Sequence, residues 1–316
     1  MKPNTSQPPA RQLRADALLL GVAFIWGVTF SLVKEALQDG PPWLFLSLRF
    51  LIATLVLAPF AFRGSRWPWR SGILLGIVLA AGYVTQTLGL RSIEPGRSAF
   101  LTGLSVIVVP LLGGLLRWDR ISRWDLVGAA AAWIGLAFLT GWILHPGAPL
   151  QRGDLWTLGC ALAFGLHILV VGRTTARHPT LRLTWIQIAA ATVILAAGTM
   201  IFEPQVWRGA GGEPLIRGLT ARFILAAAFT GVLATAVAFL LQIRMQRETT
   251  ATHTAVIFSM EPVFAGLFSV AVRHERPGWE ELIGAVFILG GILIVQLARS
   301  RAGRAAPIEP VGETGD

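Results

Sequence analysis

Apolar residues come in blocks of about twenty, separated by short polar connections. A helix needs roughly 20 apolar residues to cross a bilayer core about 30 Å thick. Ten blocks reach that length: residues 17–37, 43–62, 71–90, 97–116, 124–144, 154–173, 183–203, 221–243, 253–272 and 280–298. The pattern predicts an all-α integral membrane protein with ten transmembrane helices. The connection 204–220 is longer than the others and rich in Gly and Pro, and it reads as an external loop. Residues 1–16 are polar and Pro-rich and read as a cytoplasmic tail. No small-residue cleavage site follows the first apolar block, so that block reads as a retained span and not a signal peptide. Residues 299–316 are small, polar and charged and read as a disordered cytoplasmic tail.

The blocks repeat. From Ala81 onward the chain matches the stretch from Val237 onward without a gap, at an offset of 156 residues. Gln86 falls on Gln242, Arg91 on Arg247, Arg117 on Arg273, Arg120 on Arg276, Gly128 on Gly284 and Gly135 on Gly291. The first two blocks match blocks six and seven at an offset of 138, with Gly27 on Gly165 and Val33 on Val171. Charged and glycine matches carry the signal, since apolar matches mean little in so apolar a chain. The expected organisation is a first five-helix unit over 17–144 and a second over 154–298. Five is odd, so the second unit enters the membrane inverted.

Composition agrees with membrane embedding. Hydrophobic residues make up 54% and charged residues 14% of the chain, against roughly 25% charged in a soluble domain. The net charge of +10 is not a nucleic-acid signature, because the arginines sit in short clusters between apolar blocks. With the N-terminus inside, 17 of the 27 Lys and Arg fall on inner segments and 8 on outer ones, with Lys34 and Arg49 within spans. That bias favours both termini in the cytoplasm. Ten of the 12 tryptophans lie near block ends, where an amphipathic ring suits the interface. The single cysteine, Cys160, excludes an intramolecular disulfide and a cysteine-rich metal site.

Inverted repeats are the signature of secondary transporters, in which two related halves open a central site to either side by turns. The ordered residues resemble the EamA-type branch of the drug/metabolite transporter superfamily. The first unit carries Ala23 to Gly27 with Trp26, Lys34, Arg49-Phe50, Ala99 to Thr102, Val109-Pro110-Leu111, the Arg117–Arg120 segment and Gly128. The second carries Met260-Glu261-Pro262-Val263, His274-Glu275-Arg276, Gly284 and Gly291. The resemblance covers about residues 15–298. It implies ten helices around a central cavity, and export or exchange of small metabolites, often amino acids or related amphipathic compounds. His274 departs from the family, which commonly has a small residue there.

Polar groups inside the spans are the candidate site. A carboxylate midway along a span, Glu261, faces the protein interior or a wet cavity. It either contacts a substrate amine or couples protons, or it caps N–H groups freed by the break at Pro262. Pro110 and Pro262, in paired helices, are candidate bends. His167, opposite Thr29 in the repeat, either carries a proton or makes an ordinary hydrogen bond. Gln86 and Gln242, with Tyr83 nearby, either line the cavity or tie helices together. Trp26 is either an apolar wall for a substrate or packing. Lys34 and Arg49 form a cationic pair for a substrate carboxylate in the outer leaflet. Alternatively Lys34 snorkels to headgroups and Arg49 pins span two to backbone carbonyls. Asp119 and Glu275 read as loop-pinning partners of nearby arginines.

The expected function is a secondary transporter of the inner or plasma membrane, exporting or exchanging small metabolites by alternating access. The partners are the lipid bilayer, a small-molecule substrate and, as a candidate coupling ion, the proton. No cofactor and no metal is expected. An embedded enzyme would need groups such as HExxH, CxxC or a facing aspartate pair, and none occurs. A passive channel fits worse than a chain that supplies its own pseudosymmetry. A nucleotide-sugar or phosphate exchanger is the alternative transporter reading, with Lys34 and Arg49 as a thin complement for several phosphate charges.

Overall fold

The computed structural model describes residues 9–62, 67–118, 121–139, 151–208, 219–273 and 278–305, and among these there is no strand. The first half contains α1 (Pro9–Asp39), α2 (Pro42–Ala61), α3 (Trp69–Ser92), α4 (Pro95–Gly103), α5 (Ser105–Leu115) and α6 (Arg123–Leu139). The second contains α7 (Arg152–Thr174), α8 (Thr180–Phe202), the single turn α9 (Gln205–Arg208), α10 (Ala221–Phe229), α11 (Ala238–Met245), α12 (Ala251–Phe258), α13 (Glu261–Arg273) and α14 (Trp279–Ala305). A π-helical stretch, Thr230–Val237, joins α10 to α11.

Among the described residues, seven helical segments are long and apolar enough to cross a membrane: Arg11–Asp39, Pro42–Ala61, Trp69–Ser92, Pro95–Leu115, Arg152–Arg177, Thr180–Phe202 and Ala221–Met245. The other three predicted spans correspond to α6, to the broken pair α12 and α13, and to α14, whose apolar stretch is Leu282–Val295. Residues 140–144 of the predicted fifth span lie outside the described residues, as do 209–218 of the long loop, Asp119, His274 and Glu275. Two boundaries move. Helix α1 starts at Pro9, inside the predicted tail, where a proline in the first turn loses no hydrogen bond. Helix α14 runs on to Ala305, into the other predicted tail; the first proline after it is Pro307.

The fourth and ninth predicted spans are both interrupted, at positions that match in the sequence repeat. The break is at Leu104 between α4 and α5, and at Ser259–Met260 between α12 and α13. Leu104 falls on Met260 at the 156-residue offset. The predicted bend at Pro110 is thereby corrected: Pro110 lies inside α5, and the interruption comes about a turn and a half earlier. The carbonyl that Pro110 frees is that of Val106, two residues past the break, and the Leu104 carbonyl accepts from the N–H groups of Ile107 and Val108 at 2.9 and 3.1 Å. Pro262 is the second residue of α13, a position that needs no intrahelical donor.

Helices α2 and α8 pack antiparallel. Ser47 Oγ meets Thr199 Oγ1 at 2.7 Å, and Thr54 Oγ1 meets Thr192 Oγ1 at 2.9 Å. Helices α6 and α14 also pack antiparallel, through small residues that allow backbones to touch. A methyl group on Gly128 would lie 2.9 Å from the Gly291 carbonyl oxygen, and one on Gly291 2.6 Å from that of Gly128. Glu203, just past α8, receives the Trp43 and Leu44 N–H groups at 3.0 and 2.9 Å and so caps the start of α2. Outward side chains such as Val193, 70% exposed, are apolar, as lipid contact requires.

Candidate substrate cavity

Lipid-facing surfaces are apolar, so the polar groups of the spans turn inward. They meet in one cavity, with about 740 Å³ of empty space counted together with the solvent at its mouth. All seven predicted cavity residues, Trp26, Thr29, Tyr83, Gln86, His167, Gln242 and Glu261, line it, and Arg49 lines it too. Lys34 does not. Its ammonium donates to the carbonyls of Leu90, Ile93 and Arg91, at 2.9, 3.0 and 3.4 Å, and so caps the C-terminus of α3.

The walls are aromatic. Trp26 stands 5.3 Å from Phe239 and 5.0 Å from Phe258 between ring centroids, and Tyr83 stands 5.3 Å from Phe164. The π-helical stretch brings the Ala234 carbonyl to the Trp26 indole, whose Nε1 donates to it at 2.8 Å. Such irregular turns recur at functional sites because they release backbone groups from the regular ladder. Arg49 uses the same stretch. Its Nε donates to Thr235 Oγ1 at 2.8 Å and an Nη donates to the Tyr83 hydroxyl at 3.1 Å, with the Ala234 carbonyl at 3.4 Å. Among the described residues Arg49 makes no ion pair.

Glu261 opens α13 at the helix break. Its carboxylate makes no hydrogen bond within the described residues, so the capping of freed N–H groups expected as one alternative is not observed there. His167 and Gln187 share a 3.0 Å hydrogen bond between Nε2 and Oε1, and Gln187 Nε2 is left without a partner. Gln86 donates to Thr102 Oγ1 at 3.4 Å. Gln242 donates to Gln246 at 3.4 Å, and its Oε1 is buried without a partner. The cavity thus offers one carboxylate, one guanidinium held by neutral groups, amide oxygens and aromatic faces. That set suits a small molecule with a charged head and an apolar body.

The lining is organised by the repeat. Trp26 and Phe164, Thr29 and His167, and Phe30 and Ile168 are counterparts at the 138-residue offset, and all line the cavity. Tyr83 and Phe239, Gln86 and Gln242, Thr102 and Phe258, and Ser105 and Glu261 are counterparts at 156. The remaining lining residues, Val33, Arg49, Thr87, Leu90 and Gly103, all come from the first half. Their counterparts Val171, Gln187, Ile243, Gln246 and Ser259 are buried and do not line it. The cavity therefore reaches toward the end where α1 and α3 finish and is shut toward the other. Sequence reasoning missed Phe164, Phe239, Phe258, Thr102 and Ser105. The repeat offset applied to Trp26, Tyr83 and Glu261 picks out Phe164, Phe239 and Ser105 directly.

Comparison with known proteins gives a consistent picture. The profile of the EamA-like transporter family matches twice, over residues 13–141 and 151–297. An "Uncharacterized transporter" of Archaeoglobus fulgidus is 34% identical over 288 residues, 91% of this chain and 87% of that protein. A "Probable amino-acid metabolite efflux pump" of Salmonella typhimurium is 30% identical over 156 residues, 48% of this chain and 51% of that protein. A solved crystal structure superposes with a TM-score of 0.73 at 21% identity, covering 92% of this chain and 99% of that one, which speaks to the fold alone.

Proposed function

Because the chain belongs to the EamA-like transporter family and is a multi-pass membrane transporter, we propose that it exports or exchanges small metabolites by alternating access. In this reading ten membrane helices form two inverted five-helix repeats, with both termini in the cytoplasm and the chain in the inner or plasma membrane. The observation that carries it is the lining of the cavity by repeat counterparts, with extra lining from the first half only. Two halves holding the same positions, one set lining the cavity and the other packed away from it, are what a machine needs if it is to exchange the two states. The antiparallel pairs α2 with α8 and α6 with α14, and the twin breaks at Leu104 and Met260, support the same reading.

The substrate class we propose is amino acids or related amphipathic compounds. Glu261 receives a cationic amine, Arg49 an anionic head, and the Trp26 and Tyr83 walls an apolar body. The name of the Salmonella relative agrees with this class. The test compares metabolites in medium and cytoplasm for cells lacking and overproducing the protein. One or a few small amphipathic metabolites should accumulate in the medium on overproduction. Glu261→Gln should keep the membrane level of protein and cut that accumulation about tenfold or more, as expected for loss of a charged contact. Identical metabolite profiles with and without the protein would overturn the reading.

A further inference from the structure

The two repeat offsets relate two contacts at opposite ends of the helical assembly, and the contacts differ in chemistry. Arg97 on α4 holds Asp154 on α7 through two bonds, Nε to Oδ1 and an Nη to Oδ2, each 2.7 Å. Asp16 is the counterpart of Asp154, and His253 is the counterpart of Arg97. Those two also meet: His253 Nε2 lies 3.0 Å from Asp16 Oδ1 and ties α12 to α1. One end is tied by a permanent cation and the other by a group that can gain or lose a proton.

The surroundings differ as well. The Arg97 side chain is 31% exposed, at the end toward which the cavity reaches. The His253 side chain is fully buried and Asp16 is 6% exposed, at the end that is shut. Between them and the cavity lies a packed layer that includes Leu19, Val22, Ala255 and Val256, all fully buried. With Nε2 bonded to Asp16, His253 Nδ1 is buried and has no hydrogen-bond partner among the described residues. That geometry suits a neutral imidazole. A further proton would put a charged N–H on Nδ1 with no acceptor, and an unsatisfied buried charged donor is costlier than a neutral one. Water can supply the acceptor only when this end is as open as the Arg97 end is now.

We propose that Asp16 and His253 form a proton-binding site whose occupancy depends on which end of the cavity is open. This rests on the alternating-access reading. A proton from the water at this end binds Nδ1 when the end is hydrated and returns to that water before the end seals. Only the N–H bond forms and breaks. Acid therefore holds the Asp16–His253 end open, and alkali lets it shut. Asp16 is the titratable group facing the imidazole. Arg14 on α1, Arg123 and Asp125 on α6, Arg173 on α7, and Arg247 and Glu248 in the loop entering α12 are charged groups at the same end; α14, which also packs on α12, carries Arg299, Arg301 and Arg304 toward that end, and α5 carries none. None is hydrogen-bonded to the imidazole among the described residues.

The test uses two reporter cysteines at counterpart positions in a Cys160→Ser background. Val33→Cys lines the cavity, and Val171→Cys is packed at the shut end. The full-length protein in detergent, with both ends in one buffer, is reacted with a small charged methanethiosulfonate. Labelling is normalised at each pH to the unfolded protein. Lowering the pH from about 8 to about 5.5 should raise labelling of Val171→Cys and lower that of Val33→Cys, each by about fivefold or more, the range of ordinary coupling. His253→Arg, a fixed cation, should label Val171→Cys strongly at both pH values. His253→Gln, the milder change, should label it weakly at both. A response to pH that survives in His253→Gln, or no response with His253 in place, overturns the proton site and leaves alternating access standing. Both reporters rising together would sink the alternating-access reading and the proton site with it.

Discussion

The contact between α6 and α14 can be tested by one methyl group. A Cβ on Gly135 would lie 2.6 Å from the Gly284 carbonyl oxygen, 2.8 Å from Ile288 Cγ1 and 2.9 Å from Ile288 N. Two of these three atoms are backbone, so a rotamer change in Ile288 cannot relieve the clash, and the helices must separate. Overpacking of this kind costs about 1–3 kcal/mol. Replacing glycine inside a helix returns roughly 0.8–1 kcal/mol of intrinsic propensity. The net effect of Gly135→Ala is a loss of up to about 2 kcal/mol, or a fall of up to about 8 °C in the unfolding midpoint at the scale of larger domains. Gly21 is the control. It lies inside α1 with no atom within 4 Å of a built Cβ, so Gly21→Ala should raise the midpoint by the propensity gain alone. Thermal unfolding in detergent, followed by the loss of monodisperse protein, ranks the three proteins. Gly135→Ala unfolding at or above the parent would refute the claim that backbone contact sets the α6–α14 distance.

Two further substitutions probe the caps. Lys34→Met should free three carbonyls at the end of α3 and lower stability by about 1–2 kcal/mol, while metabolite accumulation per folded molecule stays unchanged; a selective loss of transport would return Lys34 to the substrate path. Glu203→Gln leaves one acceptor oxygen for two N–H donors at the start of α2 and should cost about 1 kcal/mol, read as a lower unfolding midpoint; an unchanged midpoint would show that water or the backbone replaces the bond.

The site was legible where polarity contrasts with its setting. Glu261, His167, Gln86 and Gln242 stand out in apolar helices, and the cost of leaving such groups in lipid turns them inward. The aromatic wall was not legible the same way, because Phe164, Phe239 and Phe258 carry no contrast in a chain this apolar. Charge and depth alone do not reveal that the end of α3 passes within reach of the Lys34 ammonium. The residue pattern leaves Asp16 in the tail, since the helix start at Pro9 has no apolar block to announce it. The π-helical stretch had no sequence signal: its residues, Thr230 to Val237, fit a regular helix as well. The interruption at Leu104 lies upstream of Pro110 and has no marker of its own in the residue pattern.

Thr54 and Thr192 occupy the same place in the two halves and bond to each other. Where a residue meets its own twin, the bond survives only if one group can give and take a proton at once. A hydroxyl does this; a lysine or an ionised carboxylate facing its like would repel. A mutation reaching only one of the two positions must therefore still complement the other, which ties the later history of each half to that of its sister.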